Sequence, residues 1–151
     1  MNSSPTTSRS LVFAFLLIAL IGFVDAVYLT ASHYSGITPP CFITQGCDVV
    51  TTSAYSKILG VPVALLGVVF YLTNLILALI FLDKKTVSIP KILPWFTAIG
   101  FLSTLWFLYA QLFIIKSLCS YCLISAATST LLFILAIFMN MKAKHYQTET
   151  T

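Results

Sequence analysis

Residues 117–139 read Ser-Leu-Cys-Ser-Tyr-Cys-Leu-Ile-Ser-Ala-Ala-Thr-Ser-Thr-Leu-Leu-Phe-Ile-Leu-Ala-Ile-Phe-Met. Two features meet here. The run from Leu118 to Met139 is apolar and long enough for a bilayer span, which needs about 20 residues. Cys119 and Cys122 form a C-x-x-C pair at its mouth. A dithiol at this spacing is first of all a redox or metal motif. At a helix start, positions i and i+3 share a face, so the two sulfurs can meet. The free N–H groups and positive dipole end of the helix favour thiolate over thiol. Ser117 is the expected N-cap, and Lys116 adds a positive charge nearby.

The rest of the chain has the same character. Of its 151 residues 59% are apolar and 8% charged, with a mean hydropathy of +1.00. Soluble domains carry roughly 25% charged residues, so this composition belongs to an integral membrane protein of one domain. The net charge of +4 is not a nucleic-acid footprint, because the basic residues stand singly or in pairs at the ends of apolar runs. The first apolar run has span length and no small-x-small cleavage site at its end, so it reads as a retained transmembrane helix.

Four spans are predicted: 11–29, 61–82, 92–115 and 118–139. The fold class is therefore an all-α integral membrane bundle of four helices, over residues 11–140. Residues 1–10 are expected to be a disordered N-terminus and 141–151 a polar tail. Between the first two spans lies a polar interval with Cys41, Cys47, Pro39-Pro40 and Gly46. Within it, Asp48 to about Lys57 is expected to form a short amphipathic helix capped by Asp48. Gly60 and Pro62 mark the turn into the second span. Lys116-Ser117 make a tight turn between the third and fourth.

Charge sets the topology. With four spans both termini share a side, and that side carries Arg9, Lys84, Lys85, Lys91, Lys142 and Lys144. The other side carries Lys57 and Lys116. This bias predicts cytoplasmic termini and cytoplasmic end segments. The Cys41/Cys47 loop and the Cys119/Cys122 mouth then share the non-cytoplasmic face, in a compartment that permits disulfides.

Two cysteine pairs on one membrane face can relay electrons by thiolate attack on a disulfide. The loop pair, with five residues between its cysteines, can close and reopen a small ring within reach of a soluble dithiol protein. The C-x-x-C pair sits where a lipid-soluble two-electron acceptor can reach it, and a quinone has both properties. Phe70, Tyr71, Trp95, Phe96, Phe101, Trp106, Phe107 and Tyr109 are candidates to line its pocket, or to serve in helix packing and interfacial belts. Asp25, within the first span, is either functional or paired with Lys116 or Lys57. Asn74 and Gln111 are expected to bridge helices. The competing reading is a soft-metal site for Cu(I) or Zn(II), in a transport accessory protein using the four thiols.

Three ordered stretches carry a resemblance: Cys41-x5-Cys47-Asp48-x-Val50-x-x-Ser53, Gly60-Val-Pro62-Val-Ala64-x-x-Gly67-x-x-x-Tyr71, and Cys119-x-x-Cys122. Tyr28-Leu-Thr30 with His33-Tyr34 adds to them. Over about residues 20–130 the chain resembles the vitamin K epoxide reductase family, in particular its prokaryotic members. The resemblance implies a four-helix bundle enclosing a quinone (ubiquinone or menaquinone), in a multi-pass prokaryotic plasma-membrane protein. It implies that Cys122 lies beside the quinone, that Cys119 exchanges with Cys47, and that Cys41 meets a separate thioredoxin-like oxidase. Ser53 matches a serine near the active site of the family, and no metal is implied. Where vertebrate members place a tyrosine and an asparagine near the quinone, this sequence has Ala126 and Val63, which favours plain quinone reduction over epoxide reduction.

Overall fold

The computed structural model describes residues 9–41, 46–84 and 88–149. Four of its helices are long and apolar enough to cross a membrane. They are α1 (Arg9–Ser35), α3 (Val63–Lys84), α4 (Ser88–Tyr109) and α5 (Ser120–Glu149). Between α1 and α3 lie a short helix α2 (Cys47–Thr52), a 3-10 turn (Ala54–Ser56) and a two-stranded hairpin of β1 (Lys57–Ile58) and β2 (Val61–Pro62). The expected disorder of residues 1–8, and the placement of Lys85, lie outside the described residues.

The bundle is held by small and aromatic residues in register. On α1 the buried positions Val12, Phe15, Ala19, Gly22 and Ala26 recur at alternating spacings of three and four, a single seam along one face. Phe13, Leu17, Leu20, Ile21 and Val24 point outward, as lipid-facing positions should. Hydrocarbon gives no hydrophobic drive between helices, so close packing at small residues does the holding. Gly22 shows this: the Tyr71 ring of α3 occupies the space where a Cβ would stand. The Tyr71 hydroxyl then crosses to α5, donating to the Ser125 carbonyl at 2.9 Å and lying 2.8 Å from Thr128 Oγ1.

Two apolar clusters fix the direction of the helices. One joins Val12, Ala78, Leu93, Ala136 and Met139, which are the start of α1, the end of α3, the start of α4 and the far part of α5. The other joins Leu29, Val50, Ile115 and Tyr121 with all four cysteines at the opposite end. The helices therefore alternate in direction, and the cysteines share one end.

The element bounds differ from the sequence expectation in several places, and where the sequence predicts a helix to Lys57, α2 ends at Thr52 and gives way to the 3-10 turn and β1. Helix α1 runs to Ser35, so His33 and Tyr34 are helical, and at about 1.5 Å per residue its 27 residues outreach a hydrocarbon core of about 30 Å. Helix α2 starts at Cys47 with Gly46 at its N-cap. Asp48 therefore sits in the first turn, where its charge suits the dipole, and not at the cap. Ser117 does not cap α5, which begins at Ser120 with Cys119 just before it. Helix α5 also continues past Met139 into the predicted tail.

Candidate functional site

The loop half of the site is a closed ring. Cys41 and Cys47 are joined by a disulfide, with Cα atoms 5.7 Å apart. The Cys47 amide donates to Cys41 Sγ at 3.1 Å. Cys47 is 1% exposed and opens α2, whose first helical bond runs from Val50 N–H to the Gly46 carbonyl at 3.0 Å. Three hydroxyls then tie α2 and its C-cap to carbonyls one turn back: Thr51 to Cys47, Thr52 to Asp48 and Ser53 to Val50.

The helix half is shaped by the end of α4. Residues Ala110–Ile115 form a π-helical turn, a feature found often at functional sites. It ends at Lys116, a non-glycine residue in the left-handed region at φ 55°. Gln111 holds the turn that follows. Its carbonyl accepts the amides of Lys116 and Ser117, and its Oε1 accepts the Cys119 amide at 3.1 Å. Gln111 thus serves the C-x-x-C approach and not the interhelical contact expected of it. Asn74 likewise donates to Phe70 on its own helix.

Cys119 is fully buried and Cys122 partly so, and both are free thiols. The Cys119 carbonyl accepts the Leu123 amide at 3.0 Å, the first bond of α5. Its sulfur therefore lies over the open N–H groups of the helix. The hydrogen bond from the Cys122 thiol, helped by the amides of Cys122 and Tyr121, outweighs burial and brings the Cys119 thiol down to about 7 from an ordinary 9.0.

Two contacts bring the halves together. Gly46 lies against Ser117 Cβ and the backbone of Leu118, so closely that a Cβ there would stand 2.9 Å from the Leu118 carbonyl oxygen. Tyr121, between the two cysteines of the motif, donates its hydroxyl to the Pro40 carbonyl at 3.1 Å and packs its ring on Tyr28 at 5.3 Å. Sequence reasoning missed Tyr121. Its signal was an aromatic residue inside a C-x-x-C that the opposite loop had to reach.

Below the cysteines a cavity of about 640 Å³ enters the bundle, within the common size range of small-molecule sites, about 300–1,000 Å³. Cys122 lines it, whereas Cys119 faces the loop cluster. Ser53 lines it too, with its hydroxyl hydrogen engaged by the Val50 carbonyl. Val63 and Ala126 are both on the wall, so the wall is apolar at the two positions noted above. Among the aromatic candidates, Phe70, Tyr71 and Phe107 reach the cavity. Trp95, Trp106 and Tyr109 do not: they are at least half exposed on the outside of the bundle, where lipid lies. Phe96 stacks on Phe70, and Phe101 on Phe133. The lining suits an apolar ring system, and Cys122 is the cysteine sulfur on its wall.

A four-span bundle that holds a disulfide and a dithiol together at one end, over a cavity reaching into the membrane, defines a membrane thiol–disulfide protein. The model of the vitamin K epoxide reductase family matches residues 13–137, and the chain belongs to that family. It is accordingly a membrane thiol oxidoreductase. No curated protein matches the chain.

Proposed function

We propose that this protein oxidises a thioredoxin-like protein and reduces a membrane quinone, ubiquinone or menaquinone, supporting disulfide formation outside the cytoplasm. One observation carries the reading: the Cys41–Cys47 disulfide and the Cys119/Cys122 thiols pack in one cluster, with Cys122 on the cavity wall. The charge bias of the end segments supports cytoplasmic termini, with the cysteines on the outer face of a prokaryotic plasma membrane.

The partner's thiolate attacks the Cys41–Cys47 disulfide at Cys41 and releases Cys47. Cys47 then attacks Cys119 of a Cys119–Cys122 disulfide, and Cys122 leaves as the thiolate at the cavity. The partner's second thiol resolves its bond to Cys41, and Cys47–Cys119 resolves to restore Cys41–Cys47. Both electrons then rest on the Cys119/Cys122 dithiol. When bound, the quinone supplies an acceptor for two electrons and two protons. The Cys119 thiolate closes the disulfide with Cys122 as the electrons leave. Ser53, Tyr71 and Phe107 are the residues that would help hold the ring.

Cys122→Ser should trap a Cys47–Cys119 bridge, readable by non-reducing peptide mapping. A Cys41–Cys119 bridge instead would reverse the assigned order of the loop cysteines. Among the described residues no group of three His, Cys, Asp or Glu side chains is placed to hold a metal ion, and metal content after purification tests the soft-metal alternative.

A further inference from the structure

Asp25 is the buried acid that this relay leaves unused. It lies on α1 at 8% exposure and lines the cavity. Its Oδ2 has no hydrogen-bond partner, and among the described residues it pairs with neither Lys57 nor Lys116. The groups around it come from every neighbouring element. Tyr71 of α3 and Cys122 of α5 line the same cavity, and Cys119 and Tyr121 pack with Cys122 at its mouth. His33 of its own helix and Lys57 of β1 line the same cavity, to which α4 and its π turn bring only uncharged polar groups such as Ser103, Thr104 and Gln111. A buried carboxylate without a cation or donor exchanges a proton more readily than it bears a bare charge. Ionisable residues inside a span are costly, and they mark proton routes.

Oxidation of the Cys119/Cys122 dithiol releases two protons with its two electrons. An acceptor in the cavity takes up two protons with the two electrons, and Cys122 and Asp25 both line that cavity. We propose that Asp25 is the proton-transfer group of this cavity, taking the proton of the Cys122 thiol and delivering it to the acceptor. This rests on the redox reading above. The two thiols lose two electrons and two protons as their disulfide forms, and a quinone gains both as quinol. As the disulfide closes, the Cys122 proton passes to Asp25 and on to the acceptor; the Cys119 proton, already lost to water when its thiolate formed, is matched by a second proton that the acceptor takes up from water, so the Asp25 carboxyl ends the turnover as it began.

The test uses the full chain purified in detergent, as wild type, Asp25→Asn and Asp25→Glu. Infrared difference spectra between the dithiol and disulfide forms are taken with quinone removed. The expected result is a carboxylic-acid C=O band in wild type that responds to thiol oxidation, is absent in Asp25→Asn and is moved in Asp25→Glu. Turnover with decyl-ubiquinone should fall by about 10²-fold or more in Asp25→Asn, the usual scale for losing a proton-transfer group, and largely recover in Asp25→Glu. A wild type without that band, or Asp25→Asn with wild-type turnover and pH profile, overturns the proposal. If wild type reduces no quinone, the redox reading fails, and the band alone decides whether Asp25 exchanges protons with the thiols.

Discussion

Replacing Gly46 by alanine should part the two cysteine pairs without removing a sulfur. The alanine Cβ would stand 2.8 Å from Ser117 Cβ, 2.9 Å from the Leu118 carbonyl oxygen and 3.1 Å from the Leu118 nitrogen. Non-bonded carbon atoms sit comfortably at about 3.5–4.0 Å, so the segments must separate by roughly 0.7–1 Å. Two of the opposing atoms are backbone, fixed by the bonds from Ser117 and Cys119 to Gln111. The cost of such overpacking is about 1–3 kcal/mol. The kinetic effect should be larger, because Cys47 is the next residue and a displacement of about 1 Å between reacting atoms costs on the order of 10²-fold. In a Cys122→Ser background, the rate at which the Cys47–Cys119 bridge accumulates is followed by quenched non-reducing mass spectrometry. Gly46→Ala should slow it by about 10- to 100-fold while the Cys41–Cys47 disulfide still forms. Bridge formation at the parental rate would refute the close docking of Gly46 on residues 117–118 as the device that joins the pairs.

Other consequences follow from the same geometry. Gln111→Leu leaves the Cys119 amide buried and unpaired, which costs about 1–3 kcal/mol; thermal unfolding in detergent should show a lower midpoint, and an unchanged one would remove Gln111 from this role. Tyr121→Phe loses the bond to Pro40, worth about 0.5–1.5 kcal/mol, so reduction of Cys41–Cys47 by a small dithiol should quicken roughly two- to tenfold. The Cys119 thiol lies below its ordinary 9.0, at about 7, so the thiolate is favoured in the folded dithiol form. The ultraviolet thiolate absorbance that Cys119→Ser removes should therefore rise with a midpoint near pH 7, and the matching stabilisation should be full above pH 9 and be lost as pH falls through 7. A thiolate midpoint near 9 in the wild type would show that the hydrogen bond from Cys122 is not made.

Much of this was legible in the sequence because it depends on hydropathy and spacing. Four apolar runs of span length fix the bundle, and even span number with alternating loops brings Cys41, Cys47, Cys119 and Cys122 to one end. The misses arose where tertiary contacts overrode local signals. Ser117 carries a good capping side chain, yet the π turn and Gln111 carry the chain two residues further, so that Cys119 takes the position before the helix. The polar residues from Thr30 to Ser35 read as loop, but they extend α1 beyond the hydrocarbon, where α2 and the hairpin cover the cavity. Trp95 and Trp106 read as packing or belt more often than as pocket, and the sequence does not decide between them, since aromatic content does not say which face of a helix is inward. Asp25 was visible as an anomaly, but its lack of an ion pair depends on where Lys57 and Lys116 end up, which no local pattern encodes.

The central claim is that electrons pass from a thiol partner through two cysteine pairs to a quinone at Cys122. The most direct measurement offers the purified protein a reduced thioredoxin-like donor and ubiquinone or menaquinone analogues, with wild type and Cys122→Ser side by side. The account predicts quinone reduction coupled one-to-one to donor oxidation in the wild type and none in Cys122→Ser. Quinone turnover that survives in Cys122→Ser would contradict it, as would a wild type that reduces no quinone while a soft metal co-purifies with its thiols.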